Sequence, residues 1–371
     1  MNENYVCSEC GAKLHQDDAH EFDGQIFCEE CLDELTVVCT HCDRRIYRDN
    51  AETSGNLILC QSCYEDRYTT CEQCGCLVPL NDAYYFDDDD SDYPYCESCF
   101  RKLHDAPIKS YSYKPQPIFY GNDALYMGIE LEIDKGGELE ENASALLNIA
   151  NREKVHVYCK HDGSICDGFE MVSHPMTLDY HMKNMNWKEV FEKALELNYR
   201  SHNTSTCGLH VHVNRDFFGD ETELQEEAIG RLVFFVENHW NELVKFSRRT
   251  SEALDRWAAR YATISSTTQE TYKKAKDKRM GRYVAVNLEN YNTIEFRLFR
   301  GTLKYESFIA TLQLVYEICN TAKYLTDNEV ECLSWGEFVL GINKERYPEL
   351  ITYLKSRRLY VNEIVEESEE M

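Results

Sequence analysis

Twelve cysteines near the start of the chain fall in six CxxC pairs, Cys7/Cys10, Cys28/Cys31, Cys39/Cys42, Cys60/Cys63, Cys71/Cys74 and Cys96/Cys99. Two residues between cysteines let one tight turn aim two sulfurs at one Zn²⁺, and a distant pair completes the tetrahedron. The first pair of each set recurs at 7, 39 and 71, a constant step of 32, and 17, 17 and 21 residues separate the two pairs of a set. Three modules are the natural parse, although spacing alone leaves open a pairing of one module's second CxxC with the next module's first. Four thiolates leave no position for water or substrate, so three zinc ions here are expected to be structural. Cys76, two residues past Cys74, is expected to be a spare thiol, and His15, His20 and His41 to be surface residues.

A second kind of chemistry is written in four runs with strand periodicity. Side chains two apart on a strand share a face. In GIELEID, Glu130 and Glu132 point one way and Ile129, Leu131 and Ile133 the other; in GLHVHVN, His210, His212 and Asn214 oppose Leu209, Val211 and Val213. GFEMVSHP adds Glu170, and TIEFRLFRGT sets Glu295 and Arg297 against Ile294, Phe296 and Leu298. Any one of these reads as a strand with a wetted face. Four on one sheet would crowd carboxylates that only cations could neutralise, and carboxylates with an occasional imidazole suit Mg²⁺ or Mn²⁺ better than Zn²⁺.

These runs, with KHDGSI and RYVAVNLENYN, resemble the predicted amidoligases of the carboxylate-amine ligase superfamily, relatives of glutamine synthetase and glutamate-cysteine ligase, over residues 120 to 325. The resemblance implies an antiparallel sheet curved into a half-barrel, ATP bound through two or three divalent cations, and an acyl phosphate attacked by an amine. It implies metal ligation by Glu130, Glu132, Glu170, His210 and Glu295, with His212 near the ATP phosphates, Asn214 beside the nucleotide and Arg297 on the phosphoryl charge. Lys160, Asp162, Arg282, Asn287 and Arg300 stand in matching segments; Lys160 and Asp162 are assigned to catalysis, the other three to ATP. The cysteine modules, about 5–36, 37–68 and 69–104, resemble halves of a LIM domain in ligand spacing, with seven residues between fingers where LIM proteins have fewer.

The elements that must position these residues follow from periodicity. Residues 105–123, with Pro107, Pro115 and Pro117, read as an extended linker, and 124–371 as an α+β catalytic domain. Strands are expected near 125–133, 155–160, 168–174, 208–214, 283–289 and 293–299, the last two as a hairpin. Helices are expected at 186–198 behind Asn186 as cap, 222–247, 305–324 and 346–358. The basic run Tyr272 to Arg282 is a candidate lid over phosphates, and the acidic tail EIVEESEE is expected to be disordered. Cys159, Cys166, Cys207, Cys319 and Cys332 follow no ligand spacing and read as small core residues.

A net charge of −27, from 66 acidic against 39 basic residues, argues against nucleic acid as partner. No run of about 18 apolar residues could cross a membrane, and the first residues lack a secretory signal. A reducing, cytoplasmic setting is therefore expected, with thiolates on metal rather than in disulfides. The function these observations support is an ATP- and Mg-dependent ligase joining a carboxylate to an amine, on a peptide or protein that the zinc modules dock. Two other readings are an interaction protein with an inactive ligase-like domain, and a metal-dependent hydrolase that needs no ATP.

Overall fold

The structure is a computed structural model, described over residues 5–86, 93–202, 204, 206–261, 267–277 and 281–360. It divides into two compact units, Met1–Asp105 and Ala106–Met371. No described helix is long and apolar enough to cross a membrane.

The first unit repeats one small design. In each module the backbone closes around the first CxxC: Gly11, Asp43 and Gly75 donate to the carbonyls of Cys7, Cys39 and Cys71 at 2.8 to 3.0 Å. All three adopt the left-handed conformation, at φ 74°, 58° and 71°, which turns the chain tightly enough to aim both sulfurs inward. A short antiparallel pair follows, as in His20–Phe22 with Gln25–Phe27 and Ala51–Ser54 with Leu57–Cys60. The second CxxC then opens a helix, Glu29–Leu35, Gln61–Arg67 or Glu97–Asp105. Each module buries little beyond its sulfurs and a few apolar side chains, such as Leu14, Phe27 and Leu32 in the first, too small a core to hold without metal.

The second unit is mixed α+β, built on an eight-stranded sheet. Its strands are β1 (Ile108–Lys109), β2 (Tyr126–Ile133), β3 (Val157–Lys160), β4 (Phe169–Ser173), β5 (Met176–Thr177), β6 (Gly208–Asn214), β7 (Val286–Asn287) and β8 (Thr293–Arg300). The order is β1-β3-β4-β2-β6-β8-β7, with β5 also paired to β2. One face carries Ile129, Leu131, Ile133, Leu209, Val211, Val213, Ile294 and Phe296, all at most 1% exposed. The helices Trp187–Glu196, Thr222–Asn238 and Tyr305–Tyr324 join the same core, and each fully buried Leu, Ile or Phe there contributes about 2 kcal/mol.

Several expectations are corrected. The sheet is not wholly antiparallel, because β1 runs parallel to β3, pairing Ile108 with Cys159 and Lys109 with Lys160. That strand lies in the segment expected to be an extended linker, where Tyr120 bridges to Met176 and is 8% exposed and Tyr113 packs edge-on against Tyr158, while Tyr111 and Ile118 stay exposed. The helix expected at 222–247 is two, Thr222–Asn238 and Trp240–Ser247, broken at His239 (φ −103°, ψ 29°), whose ring packs on Phe235 and Trp335. Asn186 does occupy the N-cap position, its carbonyl accepting from Val190 N at 3.0 Å, but its side-chain amide donates to the Ile149 carbonyl rather than capping the helix. The strand expected at 283–289 shortens to β7, since Val284 bridges to Ala259, but the hairpin with β8 forms, Asn287 opposite Glu295. Of the other cysteines, Cys159, Cys207 and Cys319 are buried, whereas Cys166 and Cys332 are exposed rather than core residues. The acidic tail lies outside the described residues, as do residues 278–280 of the expected lid; Thr268–Lys276 before them is helical.

Candidate active site and metal centres

In the first unit the sulfurs gather as Cys7/Cys10/Cys28/Cys31, Cys39/Cys42/Cys60/Cys63 and Cys71/Cys74/Cys96/Cys99, each set within 4.8 Å of one another. The alternative pairing across modules is thereby excluded. Backbone N–H groups of Cys10 and Cys28 pull the Cys7 thiol down to about 6, while the Cys28 thiol and burial push Cys31 far up. Four thiols at such separations cannot all ionise on their own, and a divalent cation is what lets them. Cys76 lies with its sulfur 3.3 Å from that of Cys74, so the third module gathers five thiols where the others gather four.

In the second unit the register of the sheet assembles the other constellation. Cross-strand partners are Glu130 with His210, Glu132 with Glu170, Lys160 with Glu170, His212 with Glu295 and Asn287 with Glu295. Residues opposite each other across a strand pair lie about 5 Å apart, so six strands deliver one continuous polar patch. Glu130 approaches both imidazoles, Oε2 at 3.2 Å from His210 Nδ1 and Oε1 at 3.3 Å from His212 Nε2. Glu295 Oε1 lies 3.6 Å from His210 Nδ1 and 3.9 Å from His212 Nε2, and pairs closely with Arg297. Asn287 donates to Glu295 Oε2 at 2.8 Å, and Lys160 Nζ sits 3.4 Å from Glu170 Oε2. Two sets of ligand atoms, Glu130/His212/Glu295 and Glu130/Glu170/His210, each lie within 4.8 Å.

β8 reaches this arrangement through a bulge. His212 faces Glu295 and Val211 faces Phe296, but Leu209 faces Phe299, so Arg297 and Leu298 together oppose His210. Strict alternation does not reveal the extra residue. Gly208 matters at the other end of β6: its N–H donates to Glu132 Oε2 at 2.5 Å, and a Cβ there would sit 2.9 Å from His210 Nε2.

Not every expected residue converges. Asn214 is committed to backbone, accepting from Tyr126 N at 2.8 Å and donating to Ala124 O at 3.2 Å. Asp162 holds a turn, accepting from Ser164 N at 2.7 Å, and bears on the site only by its charge on Glu132 and Glu170. Arg282 is exposed beside the hydroxyls of Tyr111 and Tyr283. Arg300 lies in a separate pocket with Arg248. Conversely, Arg249 has no signal in the sequence, yet it is 7% exposed, donates to the Arg297 carbonyl at 2.5 Å and offsets the charge of Glu132. Trp257, whose carbonyl accepts from Arg297 Nε at 3.4 Å, was also not legible.

The electrostatics say what the patch lacks. Burial, reinforced by Glu130, drives Glu170 well above the usual carboxylate range, and burial raises Glu132. Burial acts on Glu130 and Glu295 in the same sense, but His212 and His210 outweigh it, holding Glu130 well below that range and Glu295 below it. Burial thus disfavours the charged form of Glu132 and Glu170, a cost that bound cations would offset. Oxygen-rich donors with imidazoles at the margin fit a divalent cation of the Mg²⁺ or Mn²⁺ type.

A cavity of 570 Å³ opens beside this patch at the β7–β8 turn. Asn287 lines it together with Tyr261, Tyr272, Lys276, Asn290 and Gly281.

Residues 148–319 match the model of a family described as "Putative amidoligase enzyme". The match takes in Glu170, His210, His212, Glu295 and Arg297 and begins after Glu130 and Glu132. No curated protein matches the chain. Among solved structures, the chain is similar to a bifunctional glutathione synthetase from Pasteurella multocida at 12% identity and a TM-score of 0.36. That likeness covers 63% of this chain and 46% of the other, so the chain spans less than half of that protein's length.

Proposed function

We propose that the second unit, which carries the amidoligase-family segment, joins a carboxylate to an amine at the expense of ATP. The observation that carries the reading is the convergence of Glu130, Glu170, Glu295, His210 and His212 from β2, β4, β8 and β6 on shared ligand positions. Glu130, Glu132, Glu170, His210 and Glu295 would hold two or three Mg²⁺ or Mn²⁺ ions, which neutralise phosphate charge when bound. Arg297, pinned by Glu295 and the Trp257 carbonyl, presents a fixed guanidinium to the transferred phosphoryl group. Lys160, paired with Glu170, supplies a second cation from the opposite flank. Asn287 fixes the outer oxygen of Glu295 and lines the neighbouring cavity, whose size suits the rest of a nucleotide.

In the reaction so described, a substrate carboxylate oxygen attacks the γ-phosphorus and ADP leaves. The amine then attacks the acyl carbon, phosphate departs and the nitrogen loses a proton. The three cysteine modules bind structural zinc and serve as the docking arm for a peptide or protein substrate, in a reducing, cytoplasmic setting.

The test is product analysis of the zinc-loaded protein with Mg²⁺, ATP and a cell extract, using mass spectrometry to find ATP-dependent amide formation. ADP and phosphate are the expected nucleotide products. AMP and pyrophosphate would overturn the acyl-phosphate route, and full activity in E295A would overturn the metal assignment.

A further inference from the structure

The third module carries one thiol more than a tetrahedral ion takes. In all three modules the loop of the first CxxC is closed twice, once by the left-handed turn already described and once by a second backbone bond. The N–H of Cys7, Cys39 and Cys71 donates to the carbonyl of Ala12, Arg44 and Cys76 at 2.8, 2.9 and 2.8 Å. The residue five places after the first cysteine is therefore held beside the site by main chain, whatever its side chain. Ala12 and Arg44 offer no ligand there. Cys76 offers a sulfur, 3.3 Å from that of Cys74, and the Cys96 thiol is a neighbour as well.

Sulfurs on a tetrahedral ion, with Zn–S of about 2.3 Å, stand about 3.8 Å apart. The pairs Cys10/Cys28, Cys42/Cys60 and Cys74/Cys96 meet that spacing at 3.9, 3.8 and 3.9 Å. Cys74 thus stands at the vertex that Cys10 and Cys42 fill in the sister modules. Cys76 is too close to Cys74 to take a vertex of its own, so the two sulfurs contest one. Of the two, Cys76 is the better covered, half-buried where Cys74 is exposed, as are Cys10 and Cys42. A sulfur that merely hung off the module's surface would show the opposite order.

We propose that Cys76, which spacing alone reads as a spare thiol, is an alternative fourth ligand of the third zinc and exchanges with Cys74. This module, unlike its sisters, then holds its ion through either of two cysteines. The step is a ligand exchange in which one zinc–sulfur bond forms as another breaks. The arriving thiol gives its proton to water, the departing thiolate takes one up, and no electrons move. Whichever sulfur is displaced stays beside the ion as a free thiol. The inference rests on the reading that the modules bind zinc.

The experiment titrates the full-length, zinc-loaded protein with a calibrated chelator, comparing wild type with C10S, C42S, C74S, C76A and the double variant C74S/C76A. Cys76→Ala supplies the residue that the first module has at this place. C10S and C42S each remove a ligand without a substitute, and each is expected to weaken one ion roughly tenfold or more. C74S and C76A are expected to hold all their ions within about threefold of wild type, and the double variant to lose the third as C10S loses the first. A second measurement needs no variant: zinc-loaded wild type is alkylated with iodoacetamide, and the peptide spanning residues 71–76 is mapped by mass spectrometry. Single labelling divided between Cys74 and Cys76 is expected. C74S weakened as much as C10S, a double variant as tight as wild type, or label confined to one of the two cysteines or absent from both overturns the proposal and leaves the zinc reading standing. Wild type that takes up no zinc sinks that reading and the proposal together.

Discussion

At the scale of single residues, clearance decides as much as charge. Gly208 lies where any Cβ would press on His210 Nε2 and approach Arg249 Nη1 at 3.4 Å. The substitution Gly208→Ala is expected to rotate His210 off the shared ligand position and weaken Mn²⁺ binding about tenfold, or about 1.4 kcal/mol. Manganese titration followed by electron paramagnetic resonance reads this, and unaltered affinity would show that His210 holds no ion. In the first unit the comparison runs the other way. Asp43 stands at the left-handed position that Gly11 and Gly75 fill in the sister modules. Replacing Asp43 by Gly should stabilise its module by about 1 kcal/mol, and Gly75→Ala should cost a similar amount. Competition with a calibrated chelator measures both, and a D43G protein that releases zinc more readily would refute the strain.

At the scale of elements, the site exists because strands meet in one register, and a buried histidine helps fix one of them. His181, in the helix Leu178–Lys183, donates from Nε2 to the Met127 carbonyl of β2 at 3.0 Å and accepts at Nδ1 from Trp187 Nε1 at 3.2 Å. Accepting at Nδ1 requires the neutral ring, so protonation would break the bond from Trp187. Burial lowers its pKa to about 4, against roughly 6.5 in the unfolded chain. Because the folded value is depressed, this stabilisation is complete above pH 6.5 and is lost as pH falls towards 4. It amounts to on the order of 3 kcal/mol. Urea unfolding between pH 7 and 4 should therefore show a shallower decline in H181Q than in wild type. Parallel declines would mean that His181 titrates normally and the assignment of its proton is wrong.

At the scale of the whole molecule, the two units answer to different forces. The first gathers its thiols in three four-cysteine groups with little apolar core around them, and elemental analysis should find close to three zinc per chain; two or fewer would break the module count. The second rests on one continuous apolar core. All four tryptophans, Trp187, Trp240, Trp257 and Trp335, lie in the second unit. A strong chelator should consequently release the zinc and melt the first unit while tryptophan emission stays within a few per cent of its starting value. A large red shift on chelation would show that the second unit also depends on zinc.

What the sequence determined by itself was whatever is encoded in short-range spacing. CxxC at a repeat of 32 named the modules, and alternation in GIELEID and GLHVHVN placed Glu130, Glu132, His210 and His212 on their polar face, because ligand geometry and the pleat act over two to four residues. The tertiary structure alone decided which faces met. The bulge opposite His210, the parallel edge strand drawn from an expected linker, and the entry of Arg249 from a distant helix end all depend on contacts between segments far apart in the chain. So does the separation of Arg300 from the carboxylate patch. Strand order and register are settled by the packing of one shared core, a property of the whole domain that no local window of residues carries.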